Sequence, residues 1–341
     1  MSHAAQSRLT LAGIAAAMAL TVQGVAAQPA ADLPNPYARV ENFLNLPAGR
    51  PMGATSGIDI DRDGRSVWVF DRCGANTCAG STLAPIMKFD ANGALVRSFG
   101  EGMFIFPHSI YSDPDGNIWV TDGQGPDGKD PNRNGKGHQV FKFSPEGKLL
   151  MTLGTAGVAG ETPTTFNAPS AVVVAPSGDI FVADGHGATT NNRIVKFSRD
   201  GTFIKAWGRN GSAPGEFNPP HGIAMDSRGR IFVADRSNNR IQIFDQEGVF
   251  LEEWKQFGRP SGIFIDANDM LYVADSQSNA KNNPGGRMGT YIGSVKDGTV
   301  TAFIPDANPE GSGEEGITVD AMGNIYGAQT SGRAVMKYVN R

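Results

Sequence analysis

Two histidines and a glutamate share one recurring position in this chain. Ser56, His108, Ser170, His221, Ser261 and Glu315 each head a short segment: SGIDID, HSIYSD, SAVVVA, HGIAMD, SGIFID and EGITVD. Neutral imidazole nitrogens and a carboxylate suit zinc, and three protein ligands leave a position open for water or substrate. If the repeats close into a ring, alternate members bring His108, His221 and Glu315 to one axis as metal ligands. The serines between them are placed to hold water behind those ligands. The competing reading is a hydrogen-bonded polar channel without metal.

Further chemistry lies just past a second recurring residue. An Asp stands fourteen residues after most anchors, at Asp122, Asp184, Asp235 and Asp275, and one residue later at Asp71; Gln329 takes its place in the last repeat. Arg72, His186 and Arg236 follow these positions and are candidate catalytic residues around the same mouth. Two guanidiniums beside a metal would receive a carboxylate, because their fork matches it bidentately. Each arginine could instead pair with its neighbouring Asp. His186 has the ordinary pKa of a general base, or is an exposed loop residue.

These residues meet only if the repeat positions them. Each anchor begins an alternating run, followed by a Gly-containing turn and a second run reading WVFD, WVTD, FVAD, FVAD or YVAD. Third and fourth runs follow, as in VFKFSPEGKLLMTLG, IVKFSRDGTFIKAWG and IQIFDQEGVFLEEW. Period-two alternation broken by PEG, RDG and QEG turns predicts antiparallel hairpins. Four strands per unit predict an all-β, six-bladed β-propeller. The sixth repeat has three strands, so ARVENFLNLP near the start is expected to supply the fourth and close the ring. Closure leaves no exposed edge.

The rest of the chain bounds the setting. With 44 Gly, 21 Pro and 40% hydrophobic residues it is turn-rich yet able to bury a large core. A formal net charge of -4 with scattered Lys and Arg argues against nucleic acid as a partner. MSHAAQSR, the apolar LTLAGIAAAMALTV and the small residues VAA read as a signal peptide over 1–27. A Pro-rich lead-in over 28–37 and a propeller over 38–341 follow. The mature protein is expected in the periplasm or outside the cell, as a monomer and off the membrane. In that compartment Cys73 and Cys78 are expected to form a disulfide that shapes their loop. Asp130, Asn132, Asn134 and Gly135 match the start of a calcium loop, as do Asp59, Asp61, Asp63 and Gly64. Phe141 and Phe70 stand where the closing Glu is required, so both matches carry low weight.

The segments FPHSIYSDPDGNIWVTDG, GDIFVADGH, NNRIVKFSRDGTFIKAWG, PGEFNPPHGIAMD and IFVADRSNNRIQIF resemble NHL-repeat propellers. More narrowly, they resemble the peptidyl-alpha-hydroxyglycine alpha-amidating lyase family. The resemblance implies a six-bladed propeller with a central zinc, held in that family by three histidines, that splits a peptidyl alpha-hydroxyglycine into an amidated peptide and glyoxylate. It implies that His108 and His221 are zinc ligands and that Arg72 and Arg236 match the family's substrate-site arginines. Glu315 stands where the family has its third histidine, His186 where it has a tyrosine base, and Gly316 where it has an aspartate on a structural calcium. Zinc or another divalent metal is therefore expected, and calcium is in doubt. Two alternatives remain. One is a lactonase-like metal-dependent hydrolase. The other is a non-catalytic NHL propeller that binds a protein or glycan.

Overall fold

The computed structural model describes Met1, residues 32–307, Gly311 and residues 313–341. The expected signal peptide beyond Met1, and the first residues of the lead-in, lie outside the described residues. Among the described residues, twenty-four strands form six four-stranded antiparallel sheets. Five sheets use consecutive strands, whose innermost members are Thr55–Ile60, Pro107–Ser112, Pro169–Val174, Pro220–Met225 and Pro260–Ile265. The sixth combines Glu314–Val319, Ile325–Gln329 and Ala334–Asn340 with the N-terminal strand Tyr37–Val40, Tyr37 facing Asn340 and Val40 facing Lys337. The expected closing strand is therefore present, shorter than the segment ARVENFLNLP.

The second strand of each blade explains why these sequences make sheets. VWVFD, IWVTD and the two IFVAD strands are buried along their whole length, as suits β-branched and aromatic side chains covered on both faces. One register position is aromatic in all six blades: Trp68, Trp119, Phe181, Phe232, Tyr272 and Tyr326, each buried. These large rings fill the wedge between neighbouring sheets. Their polar tips are met by the Asp that opens the first turn of the blade. Trp68 and Trp119 donate Nε1–H to Asp61 and Asp113 over 2.6 and 2.9 Å, and the Tyr326 hydroxyl donates to Asp320 over 2.9 Å.

Near the axis the inner strands nearly touch. Glycine follows the recurring anchor in four blades, at Gly57, Gly222, Gly262 and Gly316. A Cβ on Gly222 would stand 2.8 Å from the Ser261 carbonyl, and Gly262 and Gly316 sit closer still to the carbonyls of Glu315 and Ser56. Only glycine admits so close a backbone approach. That approach brings each anchor within reach of the next.

Candidate metal centre at the propeller axis

Each anchor residue lies at an irregularity in its inner strand. Pro220 faces Asp235 while Gly222 faces Ala234, which leaves His221 outside the ladder. Ser56, Ser170, Ser261 and Glu315 are skipped in the same way, and in blade two both His108 and Ser109 are. A bulge frees a residue from pairing and re-aims its side chain. Here it turns six anchors towards one axis.

The recurring Asp fastens the loop that leads into each anchor. Asp122 accepts the backbone N–H groups of Ile105 and Phe106 over 3.0 and 2.6 Å. Asp184, Asp235 and Asp275 accept those of Asn167, Asn218 and Arg259 over 2.8, 2.7 and 2.7 Å. These carboxyls are fully buried, and burial pushes Asp122 up to about 7 against its two backbone bonds.

Histidine orientation follows from neighbouring carbonyls. His108 Nδ1 lies 2.6 Å from the Ser170 carbonyl and His221 Nδ1 lies 3.0 Å from the Ser261 carbonyl. A carbonyl only accepts, so Nδ1 carries the hydrogen in both rings, and Nε2 of each neutral ring keeps its lone pair. Ser170 and Ser261 thus orient the histidines through their carbonyls. Serine hydroxyls are spent on protein: Ser56 Oγ donates to the His108 carbonyl over 2.8 Å and Ser170 Oγ to the Pro220 carbonyl over 2.5 Å.

The third imidazole comes from blade three. His186 follows the buried Asp184, in a loop where Thr190 Oγ1 accepts the His186 N–H over 2.9 Å and the Gly187 N–H over 3.1 Å. Its Nε2 is 3.2 Å from His221 Nε2, and its ring centroid is 4.5 Å from that of His108. One nitrogen of each of His108, His186 and His221 lies within 4.8 Å of the others. Tetrahedral zinc bound at about 2.0–2.1 Å holds its ligand nitrogens about 3.4 Å apart. His108 Nε2 is buried with no hydrogen-bond partner among the described residues, a state that costs about 1–3 kcal/mol and that a cation would relieve. All three imidazoles are held neutral, as ligation needs. Burial, then the charge of Arg72, pushes His108 down to about 3; burial foremost drives His186 and His221 well below the usual range, Arg236 adding to both.

This arrangement differs from the expected one at two residues. Glu315 was expected as the third ligand, but its Oε1 lies 3.4 Å from Arg236 Nη1, and the imidazole grouped with His108 and His221 is His186. A buried carboxylate beside a fixed guanidinium pairs with it, while the blade-three loop brings His186 over the axis. His186, expected as a general base or an exposed loop residue, stands instead in the imidazole cluster, where burial, then neighbouring His108 and the two guanidiniums, lower its pKa.

Both arginines reach the centre, and neither pairs with its neighbouring Asp. Asp71 pairs with Arg50 at 3.0 Å and Asp235 with Arg240 at 2.7 Å. Arg72 donates to the Pro107 carbonyl, Asn76 Oδ1 and Ser56 Oγ over 2.9, 2.7 and 3.0 Å. Its guanidinium lies 3.7 Å over the Phe106 ring, which also packs against His108 and His186. Burial lowers Arg72 to about 10, and the charge of Glu315 opposes that shift. Cys73 and Cys78 form a disulfide around the loop that carries Asn76. Arg259 braces Arg236, donating to its carbonyl over 3.2 Å and to Ser237 Oγ over 3.0 Å. Phe106, Asn76 and Arg259 were not singled out from the sequence; only Phe106 had a signal there, two residues before His108 in FPHS.

Along the inner strands beyond the ring runs a channel of about 260 Å³, walled by residues such as Ile58, Ile110, Ile223 and Asp59. Asp59 is in a strand and is spent on protein, accepting from Ser112 N over 2.7 Å, Ile60 N over 2.9 Å and Thr318 Oγ1 over 3.1 Å. Asp61 takes Trp68 and Lys88, and Asp130 caps the short 3-10 turn Pro131–Arg133. Neither stretch is laid out as a calcium loop. At Gly316 the Ser56 carbonyl leaves no room for a side chain.

The NHL repeat model matches residues 166–197 and 217–244, within the third and fourth sheets of this ring. The chain is 36% identical over 310 residues to the human NHL repeat-containing protein 3, covering 84% of this chain and 80% of that protein. It belongs to this family of NHL-repeat propellers. It is also 35% identical over 209 residues to a probable peptidyl-alpha-hydroxyglycine alpha-amidating lyase of Caenorhabditis elegans, covering 55% of each. Of the frog and rodent amidating monooxygenases that it matches, it spans less than a third of the length. Among solved structures, a streptogramin B lyase superposes with a TM-score of 0.53 at 16% identity, covering 89% of this chain and 98% of that one, a likeness of fold alone.

Proposed function

We propose that this chain is a metal-dependent lyase of the amidating type, in which His108, His186 and His221 hold zinc. The observation that carries this reading is the convergence of three neutral imidazoles, one with a buried unpaired Nε2, between two buried arginines. The substrate class is a carbinolamide of the alpha-hydroxyglycine type. Its C–N bond breaks, the hydroxyl carbon becomes the aldehyde of glyoxylate, and the hydroxyl proton ends on the departing amide nitrogen. Bound zinc would supply Lewis acidity at the substrate hydroxyl. Arg72 and Arg236 orient the carboxylate, and Phe106 keeps water from the Arg72 side of the centre.

The relatives named as amidating lyases support the reaction class. Cys73–Cys78 supports a periplasmic or secreted setting, where such bonds persist. A second reading is metal-assisted opening of a lactone, which needs no tyrosine base; His186 stands where the resembled lyase family has one. A non-catalytic propeller would need no metal.

The test is release of glyoxylate from an N-acyl alpha-hydroxyglycine by the zinc-loaded protein, suppressed by a chelator and restored by zinc. Zinc-loaded protein that opens lactones and releases no glyoxylate would establish the hydrolase instead. Protein that binds no zinc and turns over neither substrate would leave only the binding module.

A further inference from the structure

Glu315 is the acidic anchor, and it neither orients a histidine nor joins the imidazole cluster. Its carboxylate lies 3.4 Å from Arg236 Nη1 with both side chains buried, and it is also the charge that acts on Arg72. The pair with Arg236 is long and single. Arg236 Nε, buried as well, has no acceptor among the described residues. A guanidinium that meets a carboxylate in full uses two parallel N–H groups. Arg236 therefore has donor capacity for a ligand, with a fixed negative charge already beside it.

We propose that Glu315 is a specificity-determining residue, a built-in competitor that limits how tightly Arg236 holds a ligand carboxylate relative to a neutral acceptor in the same place. This rests on the reading that the two guanidiniums receive the group next to the reacting carbon. A like charge a few ångströms from an incoming carboxylate, in a site with little water, weakens its binding by about tenfold or more. A ligand whose carboxylate is masked as an amide still accepts from Arg236 Nε and meets no such repulsion.

The probes are N-benzoylglycine and its neutral counterpart N-benzoylglycinamide, neither of which carries a hydroxyl to react. Isothermal titration calorimetry on the purified full chain gives both affinities for the native protein, Glu315→Gln and Glu315→Asp. Glu315→Gln, which keeps shape and removes charge, is expected to bind N-benzoylglycine about tenfold more tightly while N-benzoylglycinamide changes by less than about twofold. Glu315→Asp, whose charge is withdrawn by one methylene, is expected to fall between and serves alone if the glutamine variant does not fold. A purely structural Glu315 would move both affinities together. That result overturns the proposal, as does an unchanged or weaker affinity for the anion, or no binding of either probe to the native chain. The measurement needs no turnover, so a selectivity shift without glyoxylate release would sink the lyase reading and leave the role of Glu315 standing.

Discussion

Replacing His186 by Ala separates the two ligand sets that the ring permits. His186 Nε2 and His221 Nε2 are 3.2 Å apart, so His186 supplies half of the closest nitrogen pair. Removing only an outer partner of a metal ligand costs about 10–100-fold in affinity. Loss of the ligand itself is expected to exceed about 100-fold, equivalent to about 2.7 kcal/mol. Folding should hardly change, because His186 is only half-buried and its loop is tied through backbone N–H groups to Thr190. A change below about 1 kcal/mol is expected for such a loop position. Glu315→Gln should keep zinc, since its carboxylate serves Arg236. The assay is competition against a chelator of known affinity, with zinc per chain counted by elemental analysis and unfolding followed in urea. Native zinc affinity in the His186→Ala protein, together with loss of zinc in Glu315→Gln, would refute this assignment and restore Glu315 as the third ligand.

Gly316→Ala should cost about 3 kcal/mol, because its Cβ overlaps the Ser56 carbonyl where blades six and one meet; a loss under about 1 kcal/mol by urea unfolding would show that the inner strands yield freely. Burial raises Asp59 from its ordinary 3.8 to about 7. Between those two values the unfolded chain gives up a proton that the folded chain keeps, so this site's contribution is full below about pH 4 and declines until about pH 7, by at most about 4 kcal/mol. Asp59→Asn is expected to flatten the fall in urea-measured stability across that window, and an unchanged slope would contradict the shift. Replacing Cys73 and Cys78 together by Ser frees the loop that holds Asn76 against Arg72, with little effect on global stability from so short a loop. N-benzoylglycine should then bind several-fold more weakly by calorimetry; equal affinity would mean that Arg72 is positioned without Asn76.

The propeller was legible because its signals are local and repeated. The anchor-to-Asp spacing follows from a real pairing, since each Asp faces the residue before its anchor, as Asp122 faces Pro107 and Asp235 faces Pro220. The closing strand could be inferred from a missing fourth run. His108 and His221 were visible because they share that register. The place of His186 in the imidazole cluster was not, because it stands outside the repeat, on a loop whose inward course is set by Thr190 and Asn192 rather than by alternation. Glu315 shares the register, but register places a residue on the ring without deciding its partner. That choice depended on Arg236, which comes from a distant part of the chain and reaches the carboxylate only in the closed ring.

The closed ring has a consequence for the order in which the molecule can assemble. His108, His186 and His221 come from blades two, three and four, an unbroken arc whose strands end at Trp254. The Arg236–Glu315 pair and the Ser56–Gly316 contact join segments 79 and 260 residues apart, and Tyr37 meets Asn340 only at the end. Such long-range contacts form late, since loop entropy is lost before they repay it. During synthesis the three imidazoles can therefore converge while the far side of the ring is still unmade. An ion captured at that stage would serve as a fastener for half a propeller before it served any chemistry.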